Sequence, residues 1–223
     1  MNYRIIAYIV GWIFNLQAIF MVRPCITALI YQEDELYDFL IPILICLAIG
    51  LALTRKKPKN KVFYIKDGCV TVALSWIVLS VSGALPFIIS GSILHPIDAI
   101  FETVSGFTTT GSSILTDVEI LPRSIIFWRS FTHWIGGMGV LVFLLSLLPL
   151  AGGYHMNLMR AESPGPSVSK LVPKVQSTAK ILYTIYFGMT VLQIIFLLLG
   201  RMPLFDALCI TFGSAGTGGF GIK

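Results

Sequence analysis

The sequence predicts an all-α polytopic membrane protein, and three observations support this fold class. The chain is 56% hydrophobic and only 12% charged, with a mean hydropathy of +0.84. Soluble domains carry about 25% charged residues, so the composition excludes an ordinary soluble fold. The apolar residues form five long runs, and two shorter apolar segments among them end in Thr- and Gly-rich sequence.

Each long run is predicted to cross the membrane as a helix, which takes about 20 residues. The first run follows Met1-Asn-Tyr-Arg4 and is longer than the apolar core of a signal peptide. Because no small-residue cleavage site follows it, we expect a retained span. The second run is the shortest and starts against Asp38. The predicted spans cover residues 5–30, 37–54, 68–90, 124–148 and 180–200.

The distribution of charge predicts the orientation of these spans. Basic residues concentrate in segments 55–66 and 160–180, whereas acidic residues such as Glu33, Asp117 and Glu119 lie in the alternate loops. Short basic loops beside apolar spans stay in the cytoplasm, so the amino terminus is predicted to be cytoplasmic. The net charge of +5 is therefore attributed to topology. The basic residues do not alternate with aromatic ones, so we expect membrane lipid as the surroundings and no nucleic-acid partner.

The two shorter segments form an imperfect internal repeat. One runs from Pro96 to Ser113 and the other from Pro203 to Gly221. Each offers about a dozen helix-compatible residues, about 17 Å of helix, whereas the apolar core of a bilayer is about 30 Å thick. Each helix is therefore predicted to stop partway and continue as irregular backbone. Such backbone is tolerated at that depth only when it is buried in protein or lines a water-filled cavity, as in an ion pathway.

Superposing the two copies aligns residues of the same chemistry. The proline and the aspartate near each start suit a first helical turn. Each carboxyl end carries about half a negative charge, which favours a dehydrated cation over an anion. The aligned pairs are Asp98 with Asp206, Thr103 with Thr211, Thr109 with Thr217, and Gly111 with Gly219.

The loop after each short helix is the candidate ion site. Thr217-Gly-Gly219-Phe-Gly221 has the spacing of a potassium-channel filter, whose backbone carbonyls replace the water shell of the ion. Thr109-Thr-Gly111-Ser-Ser113 is a degenerate copy. Glycine reaches the required backbone angles without strain, and the threonine hydroxyls are expected to add oxygens. The predicted ion-binding residues are Thr109, Thr110, Gly111, Ser112, Thr217, Gly218, Gly219 and Phe220, with potassium at Thr109, Thr110, Thr217 and Gly218.

Other features are assigned structural roles. Gly136-Gly-Met-Gly139 lies inside an apolar span with no strand before it, so it predicts close helix packing and not a dinucleotide loop. His133 is predicted to pack in the outer half of its span. Arg123 and Arg129 are predicted to anchor the interface, or to pair with acidic residues at the mouth. The four cysteines form no Cys-x-x-Cys pair, so neither a disulfide framework nor a zinc site is expected.

Five stretches in residues 95–223 are long enough to indicate a family. They are Phe101-Glu-Thr-Val-Ser-Gly-Phe-Thr-Thr-Thr-Gly111, Leu121-Pro-Arg-Ser124, Phe127-Trp-Arg-Ser130, Trp134-Ile-Gly-Gly-Met-Gly139 and Gly213-Ser-Ala-Gly-Thr-Gly-Gly-Phe-Gly221. Together they resemble the Trk/Ktr/HKT superfamily of potassium transporters, most closely the membrane subunits of bacterial Trk systems. The two leading spans match that superfamily in position and hydropathy only.

The resemblance implies repeats of potassium-channel type, each made of an outer helix, a re-entrant pore helix and an inner helix, preceded by two extra transmembrane helices. It divides the chain into leading helices with a basic loop (1–66), a first pore repeat (67–150, filter 108–113), a cytoplasmic connection (151–179) and a second repeat (180–223, filter 214–221). We expect a longer native protein that continues with an inner helix and further repeats.

The same resemblance implies a transported ion, a location and partners. The ion is K⁺, bound in the filter, with no covalent cofactor, and the location is the bacterial inner membrane. The implied partners are the nucleotide-binding cytoplasmic regulatory subunit TrkA and a second copy of the chain in a homodimer. The basic segments 55–66 and 160–180 are candidate contacts for the regulatory subunit, although they serve equally as topology determinants.

Two alternatives stay open at this point. An intramembrane enzyme would use Asp98, Glu102 and Asp206 on a polar substrate, and would need these carboxylates in one pocket. However, the repeat places Asp98 and Asp206 at equivalent helix starts, and no nucleophile and base set is present, so a non-enzyme is predicted. The other alternative is a non-conducting fragment of a transporter. The sequence leaves open potassium against sodium, and a channel against coupled transport.

Overall fold

The computed structural model describes residues 1–58, 64–139 and 175–222. Every regular element within these ranges is an α-helix, which confirms the all-α fold class. The helices are α1 (Tyr3–Tyr31), α2 (Leu36–Thr54), α3 (Ile65–Ile89), α4 (Pro96–Phe107), α5 (Arg123–Met138), α6 (Val175–Leu199) and α7 (Leu204–Ala215).

Four of the described helices, α1, α2, α3 and α6, are long and apolar enough to cross a membrane. Their bounds lie close to four of the five predicted spans. Helix α6 begins at Val175, inside the segment that was predicted as a connection. Helix α5 covers the first part of the predicted span 124–148, and residues 140–148 lie outside the described ranges. The rest of the predicted connection before Val175, and residues 59–63 of the basic loop, also lie outside them.

The leading helices pack closely because small residues line their contact. A Cβ at Gly11 of α1 would lie 2.7 Å from the Leu53 Cβ of α2, and one at Gly50 would overlap the Asn15 side chain. Small residues that let backbones approach are typical of helix packing in membranes. Helix α3 joins α1 through Gln17, whose amide donates to the Leu79 carbonyl at 3.1 Å.

Helix α5 is at the centre of the fold, since every residue from Ser124 to His133 is buried. The Trp128 indole donates to the Gly83 carbonyl of α3 at 2.9 Å. The amino end of α5 is capped by Glu33 from the α1–α2 turn, which accepts from the backbone N–H groups of Arg123 at 2.7 Å and Ser124 at 3.0 Å. A carboxylate there satisfies free N–H groups and complements the helix dipole.

Helix α6 is the most exposed span, with 6% of its apolar window buried. It joins α5 through two hydrogen bonds: Trp134 donates to the Thr190 hydroxyl at 3.1 Å, and Tyr186 donates to the Trp134 carbonyl at 3.0 Å. Its other side presents apolar side chains outward, as a lipid-facing or interhelical surface does.

Candidate ion-binding site

The two predicted half-membrane helices are both present. Helices α4 and α7 each have 12 residues, which is about 18 Å and short of a bilayer core. Asp98 and Asp206 both lie in the first turn, as predicted. Pro96 is the first residue of α4 and Pro203 immediately precedes α7, positions that tolerate a missing N–H.

The backbone after the two helices follows one pattern. Thr109 and Thr217 have φ of 56° and 61°, and two residues later Gly111 and Gly219 have φ of 77° and 82°. Left-handed residues therefore occur at alternate positions in both loops, in the register that the internal repeat predicts.

Each helix also ends with the same pair of hydrogen bonds, the Schellman arrangement that satisfies free carbonyls at a helix end. The bonds are Thr109 N–H to the Gly106 carbonyl (3.1 Å), Thr110 to Ser105 (2.9 Å), Thr217 to Ser214 (2.9 Å) and Gly218 to Gly213 (3.0 Å). Glycine is the usual left-handed residue in this motif, whereas here it is a β-branched threonine. That substitution costs about 1–2 kcal/mol, and such strain is concentrated at functional sites.

The two loops lie against each other. A Cβ at Gly111 would overlap the carbonyl oxygen of Gly218, so a side chain there is excluded by contact as well as by φ. A Cβ at the equivalent Gly219 would meet nothing within 4 Å among the described residues. Gly111 of the first loop thus packs on the second loop, whereas Gly219 of the second loop faces space that no described residue fills.

The predicted site residues fall into two groups by exposure. Seven of them line the surface of the two loops and are exposed or half-buried: Thr109, Thr110, Gly111, Ser112, Thr217, Gly218 and Gly219. Phe220 differs, because the residue is only 4% exposed. This predicted site residue is therefore buried, unlike the other seven.

Helix α5 supports the ends of both short helices through its glycines. A Cβ at Gly136 would overlap the backbone carbonyl of Phe107, the last residue of α4. A Cβ at Gly137 would lie 2.6 Å from the Gly216 Cα just after α7, and 2.9 Å from the Tyr186 hydroxyl of α6. The prediction of close packing is confirmed for Gly136 and Gly137, whereas Gly139, with φ of 70°, follows the end of α5.

The buried carboxylate of Glu102 holds the backbone that follows the first loop. It accepts from the Ser113 hydroxyl and from the Ile114 N–H, each at 2.9 Å. It also forms an ion pair with Arg129 of α5, with 2.6 Å between Arg129 Nε and Glu102 Oε1. Because its oxygens are bound by protein donors, Glu102 buttresses the loop.

Arg129 was predicted to be an interface anchor or a partner of acids at the mouth, and this was wrong. The side chain is 3% exposed, donates to the Gly221 carbonyl at 2.8 Å and lies 3.7 Å from the centre of the Phe220 ring. Buried charges require partners. The sequence signal for this pair was therefore an acid, Glu102, in the short helix and a base, Arg129, inside the next apolar run. Arg123, in contrast, is exposed and lies 4.3 Å from the Tyr31 ring.

His133 is fully buried and stacks on Phe220, with ring centres 4.0 Å apart and planes 15° from parallel. Neither ring nitrogen has a hydrogen-bond partner among the described residues. A Cβ at Gly218 would overlap this imidazole. His133 therefore has the predicted packing role, and it packs against the second loop.

Spanning helices combined with two half-length helices that end in matched loops define a polytopic α-helical membrane protein. Residues 37–223 match the family model TrkH, described as a cation transport protein. The chain belongs to the TrkH family of cation transport proteins, which confirms the resemblance seen in the sequence. Members of this family are transporters and not enzymes, so the enzyme alternative built on Asp98, Glu102 and Asp206 is set aside.

Relatives and solved structures agree with this assignment. The chain is 40% identical to the Trk system potassium uptake protein TrkH of Salmonella typhimurium, over 99% of the chain and 46% of that protein. It is 36% identical to TrkG of Escherichia coli, over 97% of the chain and 45% of that protein. The crystal structure of the potassium transporter TrkH from Vibrio parahaemolyticus matches with a TM-score of 0.83 at 30% identity, covering 100% of this chain and 45% of that one. The chain thus spans about half the length of these relatives.

Proposed function

We propose that this chain forms part of a Trk-type transporter that takes up potassium across the bacterial inner membrane through a filter of backbone carbonyls. The ion-binding loops 109–112 and 217–220 lie within the predicted filter segments 108–113 and 214–221. One observation supports this most directly: both loops place a strained threonine and a glycine at alternate left-handed positions, directly after half-length helices.

The backbone pattern suits the chemistry of a potassium ion. Left-handed residues at alternate positions turn neighbouring peptide planes so that their carbonyl oxygens can face one side. Carbonyls arranged in this way replace the hydration shell of the ion. The carboxyl ends of α4 and α7 add partial negative charge beside the loops.

Transport requires no reaction at this site. One elementary charge that crosses 100 mV releases about 2.3 kcal/mol, so an inside-negative membrane drives potassium inward. The proposal includes the predicted cytoplasmic amino terminus, the regulatory subunit TrkA and a homodimer. The family resemblance and the basic segments 55–66 and 160–180 support these parts.

Serine at the glycines of the two loops tests the filter. Gly219→Ser and Gly111→Ser, made in the complete gene product, should lower the uptake of rubidium relative to sodium. Gly219 has φ of 82°, so a side chain there strains the loop, and one at Gly111 also collides with Gly218. Uptake is measured in cells that lack other potassium systems and is normalised to protein in the membrane.

The matched control is Gly91→Ser. Gly91 has φ of 69° and, like Gly219, no described residue within 4 Å of its Cβ position, but it lies in the loop before α4. This variant should keep the native ion ratio. If both filter variants keep that ratio as well, the ion path lies elsewhere.

A further inference from the structure

We propose that Arg129 and His133 of α5, together with Glu102 and Phe220, form a clamp that sets the position of the second loop from the first. Glu102 precedes the first loop and Phe220 belongs to the second, so these four residues link the two loops. The inference rests on the proposed filter and identifies positioning residues for it.

On the first-loop side, the clamp begins at Glu102. Its carboxylate fixes Ser113 and Ile114, which immediately follow the first loop, and it pairs with Arg129 at 2.6 Å. Both charged side chains are almost fully buried, at 0% for Glu102 and 3% for Arg129. A buried pair held by several hydrogen bonds has one geometry, so the position of Arg129 depends on the first loop.

On the second-loop side, the same guanidinium reaches two consecutive residues. It donates to the Gly221 carbonyl at 2.8 Å and covers the Phe220 ring at 3.7 Å. His133, one helical turn further along α5, stacks on that ring at 4.0 Å and packs against Gly218. The backbone from Gly218 to Gly221 is thus held from α5 at both ends.

The chemistry of arginine explains why this residue suits the clamp. Its planar guanidinium offers separate N–H donors to the carboxylate and the carbonyl while its face covers an aromatic ring. Lysine retains the charge but has no planar face and cannot hold the three contacts in fixed directions. Arg129→Lys should therefore loosen the second loop while leaving Glu102 with a cationic partner.

Ion selectivity distinguishes a clamp from an ordinary buried ion pair. Loss of an ordinary pair lowers the amount of protein in the membrane but leaves the ratio of ions in the surviving molecules unchanged. Loss of the clamp shifts the carbonyls of the second loop, so the rubidium-to-sodium uptake ratio falls per molecule. We expect about a three- to tenfold fall, the equivalent of losing one interaction the size of a cation–π contact or a hydrogen bond.

The experiment compares Arg129→Lys with Arg123→Lys in the complete gene product. Arg123 starts the same helix and also lies over aromatic rings, Tyr31 at 4.3 Å and Phe205 at 5.6 Å, neither of which belongs to the loops 109–112 and 217–220. Arg129→Lys should lower the uptake ratio, and Arg123→Lys should not. A native ratio in Arg129→Lys protein that reaches the membrane would overturn the clamp.

If Arg129→Lys fails to insert into the membrane, a second variant tests the clamp. Phe220→Leu keeps an apolar side chain and leaves the buried ion pair intact, but it removes the ring that both Arg129 and His133 contact. It should lower the ratio in the same direction, and a native ratio would overturn the clamp.

The glycine variants separate this inference from the proposed function. If Gly219→Ser changes the ratio while Arg129→Lys and Phe220→Leu do not, the filter stands and the clamp is wrong. If Gly219→Ser and Gly111→Ser leave the ratio unchanged, the filter is wrong and the clamp falls with it.

Discussion

At the residue scale, the most informative positions are Thr109 and Thr217. Both adopt left-handed backbone angles that a β-branched residue rarely takes. Glycine would end the helix without this strain, so the threonine side chain must contribute something that offsets it. In the proposed filter, that contribution is its hydroxyl, which would add an oxygen beside the carbonyls.

Thr217→Gly should therefore separate stability from selectivity. The change releases strain of about 1 kcal/mol, partly offset by the greater freedom of glycine in the unfolded chain. Thermal stability of the purified protein should stay equal or rise, whereas the rubidium-to-sodium uptake ratio should fall. Arg201→Gly is the control, because Arg201 has φ of 61° but lies before α7 and outside both loops. The Arg201→Gly variant should keep the native rubidium-to-sodium uptake ratio. If Thr217→Gly also keeps that ratio, the threonine hydroxyl is dispensable.

The sequence predicted these positions but not all of their contacts. Spacing alone aligned Thr109 with Thr217 and Gly111 with Gly219, because the left-handed pattern follows local sequence. Gly111 lies in the degenerate first copy, yet it is the glycine that contacts the other loop. That contact joins residues far apart in the chain, so a comparison of the two copies could not show it.

At the element scale, α5 organises the site, although hydropathy identified it only as another span. Its buried residues contact the leading helices, and its glycines touch the ends of α4 and α7. The sequence predicted close packing at Gly136-Gly-Met-Gly139 because small residues have that use in membranes. It could not name the partners, which are set by the crossing of three helices in space.

Gly136→Ala should displace the first loop. The added methyl group would overlap the Phe107 carbonyl, and overpacking of this kind costs about 1–3 kcal/mol. We expect a lower melting temperature and reduced rubidium uptake per molecule. Gly188→Ala is the matched control, since Gly188 lies inside α6 and no other described residue comes within 4 Å of its Cβ position. There alanine should be neutral or stabilising by about 1 kcal/mol through helix propensity. Equal behaviour of the two variants would contradict tight packing at Gly136.

At the scale of the whole molecule, two surfaces of the described part remain available. The side of Gly219 faces open space, and α6 buries little of its apolar surface. Both features fit a chain that spans about half the length of its relatives. Hydropathy predicted, in order, the four described helices that are long enough to cross a membrane, because bilayer thickness fixes helix length. It cannot predict what covers an outward face, since lipid and a neighbouring helix are equally apolar.

The partner proposal is tested on the basic segment 160–180, whose residues Lys170 and Lys174 lie outside the described ranges. Changing both to glutamate in the complete gene product should weaken co-purification of a nucleotide-binding regulatory subunit. Reversed charge repels an acidic contact surface, and the loss should be larger at low salt because exposed charges are screened beyond about 10 Å at 0.1 M ionic strength.

Arg201→Glu is the control, because this exposed basic residue follows the opposite end of α6 and is predicted to lie on the outer side. Membrane insertion is checked for each variant by reporter fusions, since the same lysines are predicted to set topology. Unchanged co-purification by a double variant with native topology would leave these lysines with a role in orientation alone.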